Sequence, residues 1–373
     1  MLTKFYMLLN NKGMREKITF LVVLILSFMA YEYAWAYELE HTGQVSGWVV
    51  IGDEFKAGAQ YVPEINIIHR VNETKSIDGE ISLNASISED DSDLEFYRWW
   101  VRYGSEQMEI RAGLQKINFG AAKILRSLRW FDRVDVRDPL ELTEGVYGAL
   151  GRYYFLNNAN FWIWGLYGND DPKGLEVYGT DKDTLELGGR YQFPVPSGET
   201  ALSFHQRDIS DDDWNRKRKS STSKGREYRY AFDGSWDIGV GIWCEAFLSE
   251  LQITEDETLW GKYLTLGSDY TFDFGPGIHV LGEHFVHRSK EDIKEEYNNY
   301  NVSALSVDFS IGILDTIRAI GYFNWEERSF SSYFGLQRTY DNWIINVSLF
   351  SNSDDETGTY SGTGAQGLVT YNY

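Results

Sequence analysis

The sequence is poor in cysteine and proline, with one Cys and 6 Pro in 373 residues. Cys244 has no partner for an internal disulfide, so the fold must hold without one. Its strand-like neighbourhood reads as a small buried or lipid-facing position rather than a reactive thiol. A Cys-x-x-Cys-His haem attachment is also missing, and no cofactor is expected. Basic residues are outnumbered, 35 Lys and Arg against 56 Asp and Glu, for a net charge of −21. That balance disfavours nucleic acid as a partner. Long apolar runs are scarce as well. The one that stands out, "ITFLVVLILSFMA", lies near the start and is shorter than the roughly 20 residues a spanning helix requires. No self-similarity at a period of about 20 to 50 residues is visible, which argues against a solenoid.

That single run has the layout of an export signal. Lys4, Lys12, Arg15 and Lys17 precede it, and Ala34 and Ala36 follow at the two positions a signal peptidase reads. Residues 1–36 are therefore read as a signal peptide, with Met14 an alternative start, and 37–373 as one domain. A retained N-terminal membrane anchor is the alternative.

What the chain does have is aromatic rings and alternation. Aromatics make up 16% of it, including 25 Tyr and 13 Trp, beside 35 Gly. Val45, Gly47, Val49 and Ile51 alternate with Gln44, Ser46 and Trp48. In "EFYRWWVRYG", Tyr97, Trp99, Val101 and Tyr103 share one face, and Arg98, Trp100 and Arg102 the other. Leu187 and Tyr191 oppose Glu186 and Arg190; Trp343, Ile345, Val347 and Leu349 oppose Asn346 and Ser348. Such period-two runs indicate half-buried strands. One run, "NFWIWGLYG", is apolar on both faces and its phase stays open. About 18 strands (16–18) can be counted. Short turns such as "FLNNA", "DFGPG" and "ILDT" interleave with longer acidic stretches such as "NDDPKGLEVYGTDKD", "DISDDDWNRKRKSSTSKG" and "SNSDDETGTYSGTG".

Alternating connection lengths and interfacial rings predict an all-β transmembrane antiparallel up-and-down β-barrel. The expected location is the bacterial outer membrane, in contact with its lipid. The final "GLVTYNY" places Val369, Tyr371 and Tyr373 on one face of a last strand, a terminus resembling the recognition signature of outer-membrane proteins. The barrel assembly machinery is thus an expected partner through Tyr371 and Tyr373.

Strand phase then sorts the charges, since an arginine facing lipid at mid-membrane costs about 2–4 kcal/mol. Arg98, Arg102, Arg111, Gln115, Arg152, Arg190, Arg207 and Arg318 are expected to face the lumen. Two readings compete for them. Rings of arginine attract anions; alternatively, Arg98, Arg102 and Arg111 pair with Glu109, Glu186 and Glu283 in a lattice that holds the wall.

The stretch "AAKILRSLRWFDRVDVRDP" breaks the alternation. Lys123, Arg126, Arg129, Arg133 and Arg137 step by three or four residues, opposite Ile124, Leu125, Leu128 and Phe131. This predicts a loop, from about Ile117 to Gly145, that folds inward, carries a short helix and constricts the pore with an arginine stripe. An external helix on the rim, its arginines paired with Asp132, Asp135 and Asp138, is the competing arrangement.

The pattern Arg111-x-Gly113-x-Gln115, followed by Trp130, Phe131, Asp132 and Asp135, resembles porin-like outer-membrane barrels, nearest to the alginate-export-like and large porin-like families. The resemblance implies a pore for diffusion or export of small or polymeric, anionic solutes. A scaffold barrel for a secretion or electron-transfer partner is the first alternative. An outer-membrane enzyme is the second; no histidine neighbours a nucleophile motif, so no catalytic residue is assigned. His279 and His287 share a face that His284 does not, so "HVLGEHFVH" gives no metal site without a bulge.

Overall fold

The alternating runs form strands throughout. A computed structural model describes residues 37–373 apart from 53, 90–91, 133–135, 139, 141, 211–224, 255–256, 291–297 and 353–361. The expected signal peptide, residues 1–36, lies outside the described residues. In chain order the strands are β1 (Tyr37–Ile51), β2 (Phe55–Asn72), β3 (Lys75–Ser88), β4 (Ser92–Gly104), β5 (Met108–Gln115) and β6 (Val146–Tyr154). Next come β7 (Asn160–Leu166), β8 (Glu186–Val195), β9 (Gly198–Asp208), β10 (Arg226–Asp237), β11 (Gly241–Thr254) and β12 (Glu257–Phe272). The last six are β13 (Ile278–Ser289), β14 (Asn298–Ile311), β15 (Asp315–Asn324), β16 (Ser329–Tyr340), β17 (Trp343–Ser351) and β18 (Thr363–Asn372).

Each strand pairs antiparallel with its sequence neighbours, and β1 pairs with β18 from Gln44↔Asn372 to Ile51↔Ala365. The 18-stranded sheet is closed, so no edge strand is left to pair with another chain. At the seam the Gly43 N–H donates to the Tyr373 carbonyl at 3.1 Å, and Tyr373 N–H returns a bond to Gly43 at 3.0 Å. The Tyr61 and Tyr373 hydroxyls meet at 2.9 Å.

One rim carries eight connections of two to five residues, including "FLNNA", "DFGPG" and, at the stretch read as "ILDT", residues 312–314. The other rim carries the long 116–145, 167–185, 209–225 and 352–362 connections, together with several tight turns. Most of the 209–225 and 352–362 segments fall outside the described residues.

Burial follows strand phase. Val45, Val49, Trp99, Val101, Leu187, Leu202, Ile345 and Val347 are exposed on the outer face, while Ser46, Arg98, Glu186, Ser203 and Ser348 are buried on the inner one. The phase of "NFWIWGLYG" is now fixed: Phe161 and Ile163 point out, and Trp164 and Leu166 are buried inside. Cys244 takes an outward position on β11, between inward Trp243 and Glu245. One strand departs from simple alternation. Ser82 pairs with Arg98 and Leu83 with Phe96, so Tyr97 is the extra residue of a bulge. A bulge re-aims a side chain, and Tyr97 leaves the outer face expected for it: its hydroxyl accepts from Thr143 N–H at 3.3 Å.

Candidate functional site

The barrel interior is organised by the connection between β5 and β6. Ile117, Phe119, Leu128, Trp130 and Phe131 are buried against Val146, Leu150, Trp164, Leu166, Ala231 and Phe247 of the inner wall. Ile124 and Val136 reach Val50, Ile320, Tyr333 and Phe350, a cluster on β1 and β15–β17. The segment starts on β5 and touches strands on the far side of the ring, so it crosses the lumen. It returns at Thr143, where Arg98 Nη2 donates to the Thr143 carbonyl at 2.7 Å and to its Oγ1 at 2.5 Å.

Two wall carboxylates fasten it. Glu245 accepts main-chain N–H groups from Ala122 and Leu128, each at 2.9 Å. Glu283 accepts those of Lys123 at 2.7 Å, Ile124 at 3.0 Å and Leu125 at 2.5 Å, and also the Trp243 indole N–H at 2.9 Å. Thr265 donates to the Leu125 carbonyl at 2.6 Å, which leaves Ser127 to donate to the Thr265 hydroxyl at 2.6 Å. No cation is paired with either carboxylate among the described residues. Gly120, at φ +104, lies against the Glu245 carboxyl, where a Cβ would collide.

This arrangement corrects the expected helix. The described residues of 117–145 form bends and turns and no helix. In a helix Leu128 N–H would bond the Ile124 carbonyl and Leu125 would accept from Arg129. Here wall side chains take both groups, so the ladder cannot form. Without a helix the three-and-four spacing no longer makes one arginine stripe. Lys123 is exposed and lines a cavity of about 890 Å³ on the short-turn side. Arg126 turns back on its own segment, bonding Asn118 and Asp132, the latter at 3.3 Å. Arg129 lines a second cavity, of about 440 Å³, on the long-loop side. The Arg137 guanidinium lies 5.8 Å from the Tyr322 ring centroid. Arg133 lies outside the described residues.

The eight lumen residues all occupy inward positions. Their partners differ from the expected lattice except at Arg111, which pairs with Glu109 at 3.0 Å. Arg152 shares that carboxylate at 3.6 Å and lies 3.9 Å from the Trp162 centroid. Arg102 pairs with Asp78 at 2.7 Å and stays about a third exposed. Arg190 forms two bonds with Asp233, at 2.5 and 2.8 Å. Arg318 pairs with Asp308 at 2.6 Å and is 44% exposed. Arg98 bonds carbonyls and a hydroxyl rather than a carboxylate. Gln115 is sealed under the segment, its amide donating to the Gly148 carbonyl at 3.0 Å.

A second inward segment was not legible. "NDDPKGLEVYGTDKD" reads as an external acidic loop, yet Lys173 and Thr180 are buried and Thr180 pairs with Ile209. Glu176 accepts from Arg207 at 3.0 Å and from Arg229 at 2.8 Å. Lys173 Nζ reaches Glu186 at 3.2 Å, and Glu227 takes both Arg207 at 2.6 Å and Arg229 at 2.7 Å. His205, fully buried, accepts from the Trp164 indole at Nδ1, which leaves its Nε2 proton facing Glu186 at 3.2 Å. The signal available was strand phase: Glu227 and Arg229 share the inner face of β10 with Asp233, and such charges need partners from somewhere. Gly174, at φ +53, abuts the Arg129 carbonyl and joins the two inward segments. A Gly174→Ala variant should pry them apart. The expected result is faster protease cleavage within 167–185 with the barrel's β circular dichroism unchanged.

No protein-family model and no curated protein matches the sequence. Solved structures do. The chain superposes on OmpT, an outer-membrane protein of Vibrio cholerae, with TM-score 0.54 at 10% identity, over 91% of this chain and 100% of that one. The anion-selective porin of Comamonas acidovorans matches with TM-score 0.53 at 11% identity, over 91% and 100%. OccAB4 of Acinetobacter baumannii matches with TM-score 0.57 at 7% identity, over 92% and 99%. At such identities the likeness is one of fold alone: the chain shares the closed antiparallel barrel of these outer-membrane proteins.

Proposed function

We propose that the protein is an outer-membrane pore, exported by residues 1–36, whose lumen is narrowed by the segment between β5 and β6. The observation that carries this reading is the crossing of the closed barrel by a segment fastened to opposite walls. An outer apolar face suits lipid, and the short-turn rim then faces the periplasm. Tyr371 and Tyr373, on the closing strand, are the contact proposed for the barrel assembly machinery.

The same reading assigns an anion bias of modest size. On β3–β6 the inner wall toward the short turns carries Arg98, Arg102, Arg111 and Arg152 against Asp78, Glu80 and Glu109, with two arginines sharing Glu109, while Asp93 and Glu95 lie on the same face at the long-loop end. Exposed Lys123 adds to this in the cavity on the short-turn side. Lys173, Arg207 and Arg229 are balanced by Glu176, Glu186 and Glu227, and the Glu245 and Glu283 carboxylates are covered by main-chain N–H groups of the inserted segment. The field is therefore local, and it acts on small or polymeric anionic solutes near β4–β6.

The refolded chain in planar bilayers tests both parts. Discrete conductance steps with a reversal potential on the anion side of a KCl gradient are expected. A sealed lumen would overturn the pore, and a cation-side potential would overturn the bias. Replacing Arg126, Arg129 and Arg133 together with serine should raise conductance, because it removes the Arg126–Asp132 brace and three cations from the inserted segment. It should also lower the anion preference. Unchanged values would take these arginines out of the permeation path.

A further inference from the structure

The outer face of β1–β3 holds a feature the pore reading does not use. β1 meets the closing strand only from Gly43 onward, where Gly43 and Tyr373 exchange main-chain hydrogen bonds at 3.1 and 3.0 Å. Its first six residues, Tyr37–Thr42, run past that closure and pair with β2 from His69 to Glu64. β2 and β3 continue beyond it to the 73–74 turn. At about 3.3 Å per residue and a tilt near 45°, with strand stagger allowed for, this carries the sheet roughly 10–14 Å further along the barrel axis. The tab so formed has two unlike faces. Glu38, Glu40, Glu64, Asp78 and Glu80 take inner positions, and Leu39, Ile65, Ile67, Ile77 and Ile81 outer ones.

Rings set the level at which lipid ends on this side. The Tyr61 and Tyr373 hydroxyls meet at 2.9 Å on the outer wall, and Tyr270, Tyr340 and Trp343 are exposed at the short-turn ends of β12, β16 and β17. Interfacial rings mark headgroup level. Leu39 and its cross-strand partner Ile67 lie four residues beyond Gly43 and Pro63, with Ile77 on the next strand. Leu39 and Ile77 are 53% and 43% exposed. Lipid ends short of them, and an apolar sheet face in water marks a protein contact.

The same face continues up the wall. The outward positions of β1 and β2 carry no Asp, Glu, Lys or Arg, and on β3 Lys75, at the turn, is the exception. Above the closure, Gly47, Ala57, Ala59 and Gly367 leave a hollow of about 770 Å³ beside Val49 and Val347. Small residues let a neighbouring backbone come close, and an uncharged patch meets a copy of itself without charge conflict. Because the tab's outer side runs into the lipid-facing wall, a partner covering both stands in the same membrane. Three strands about 4.8 Å apart and some 15 residues long offer roughly 700 Å², close to the about 800 Å² per partner of a standard interface.

We propose that the outer face of β1–β3 docks a second copy of this chain, tab against tab, about a two-fold axis along the membrane normal. The proposal rests on the membrane reading of the outer wall and is independent of whether the lumen conducts. The test uses the full chain refolded in detergent and in phosphatidylcholine vesicles, with mass read by native mass spectrometry and contact by cross-linking. A mass of two barrels is expected. In a Cys244→Ala background, Ile67→Cys should give a dimer with a bismaleimide linker. Cys244 of the unaltered chain, outward on β11 across the ring, should not. Leu39→Arg/Ile77→Arg should abolish the double mass and the Ile67→Cys cross-link, with the barrel's β circular dichroism unchanged because both positions lie outside the lipid. Leu39→Met/Ile77→Leu should keep both. A double mass that survives the arginine pair, or equal cross-linking of Cys244, would overturn the proposal. A chain that floats with vesicles at the mass of one barrel would overturn the self-contact alone and leave the tab to another protein. A chain that does not float would overturn it together with the membrane reading.

Discussion

Replacing Glu245 and Glu283 together with alanine is expected to release the pore-crossing segment and produce a larger, noisier channel. Five main-chain N–H groups and one indole N–H end on these two carboxylates. A hydrogen bond to a charged group is worth about 1.5–3 kcal/mol net, so the pair is the dominant polar attachment of residues 122–128. Alanine removes every acceptor and leaves the apolar anchors Leu128, Trp130 and Phe131 to hold one end. Lys123 to Leu125, left with only the Thr265–Leu125 bond and the Ile124 contacts, should then leave the wall. Single-channel conductance should rise, and open-channel current noise should increase. Glu→Gln at both sites keeps one acceptor oxygen per side chain and should fall between wild type and the alanine variant. The barrel itself should survive, because its strand ladders close without the segment. Near-wild-type conductance and noise in a folded alanine variant would show that the carboxylates are not what holds the constriction.

The wall of this protein could be read in advance because its physics has a period of two. Once Trp99 and Val101 are assigned outward, Arg98 and Arg102 have only one face left. The same logic placed Arg152, Arg190, Arg207 and Arg318 without knowledge of their partners. It failed at Tyr97, where a bulge adds a residue and swings the ring inward, and nothing in "EFYRWWVRYG" marks that insertion. The inward turn of the β5–β6 connection was also legible, since an apolar stripe such as Leu128 and Phe131 needs something to bury it.

Its conformation was not legible. Whether Ile124 and Leu125 carry a helix depends on where their amide and carbonyl groups go, and the competing acceptors, Glu245 and Glu283, lie more than a hundred residues away in sequence. Helical spacing states which residues could share a face, and distant carboxylates decided otherwise. The 167–185 segment was missed for a related reason. "NDDPKGLEVYGTDKD" has the composition of a solvated loop, and Lys173 and Glu176 are buried only because β8–β10 present Glu186, Arg207 and Arg229 to them.

That ionic cluster sets the other large effect. Glu176→Ala should destabilise the region by about 3–5 kcal/mol, the scale for a buried charge that loses its partner. The side chains of Glu176, Arg207 and Arg229 are all at most 3% exposed. With Glu176 present, Lys173, Arg207 and Arg229 face Glu176, Glu186 and Glu227, three charges of each sign. Without it, three cations share two carboxylates, and Glu227 alone must serve both arginines at 2.6 and 2.7 Å. The 167–185 segment also loses its own tie, since Lys173 N–H donates to Glu176 at 2.9 Å. The measurable result should be a lower thermal midpoint and rapid cleavage within 167–185. Adding Arg229→Met to Glu176→Ala restores the balance, with Lys173 and Arg207 against Glu186 and Glu227, and its apolar side chain suits the neighbouring Trp130 ring, whose centroid lies 5.9 Å from the Arg229 guanidinium. The double variant should recover most of the lost stability. If it is instead as unstable as Glu176→Ala, lost packing rather than stranded charge would be the cause, and the balanced cluster would not be what holds the second segment inside the barrel.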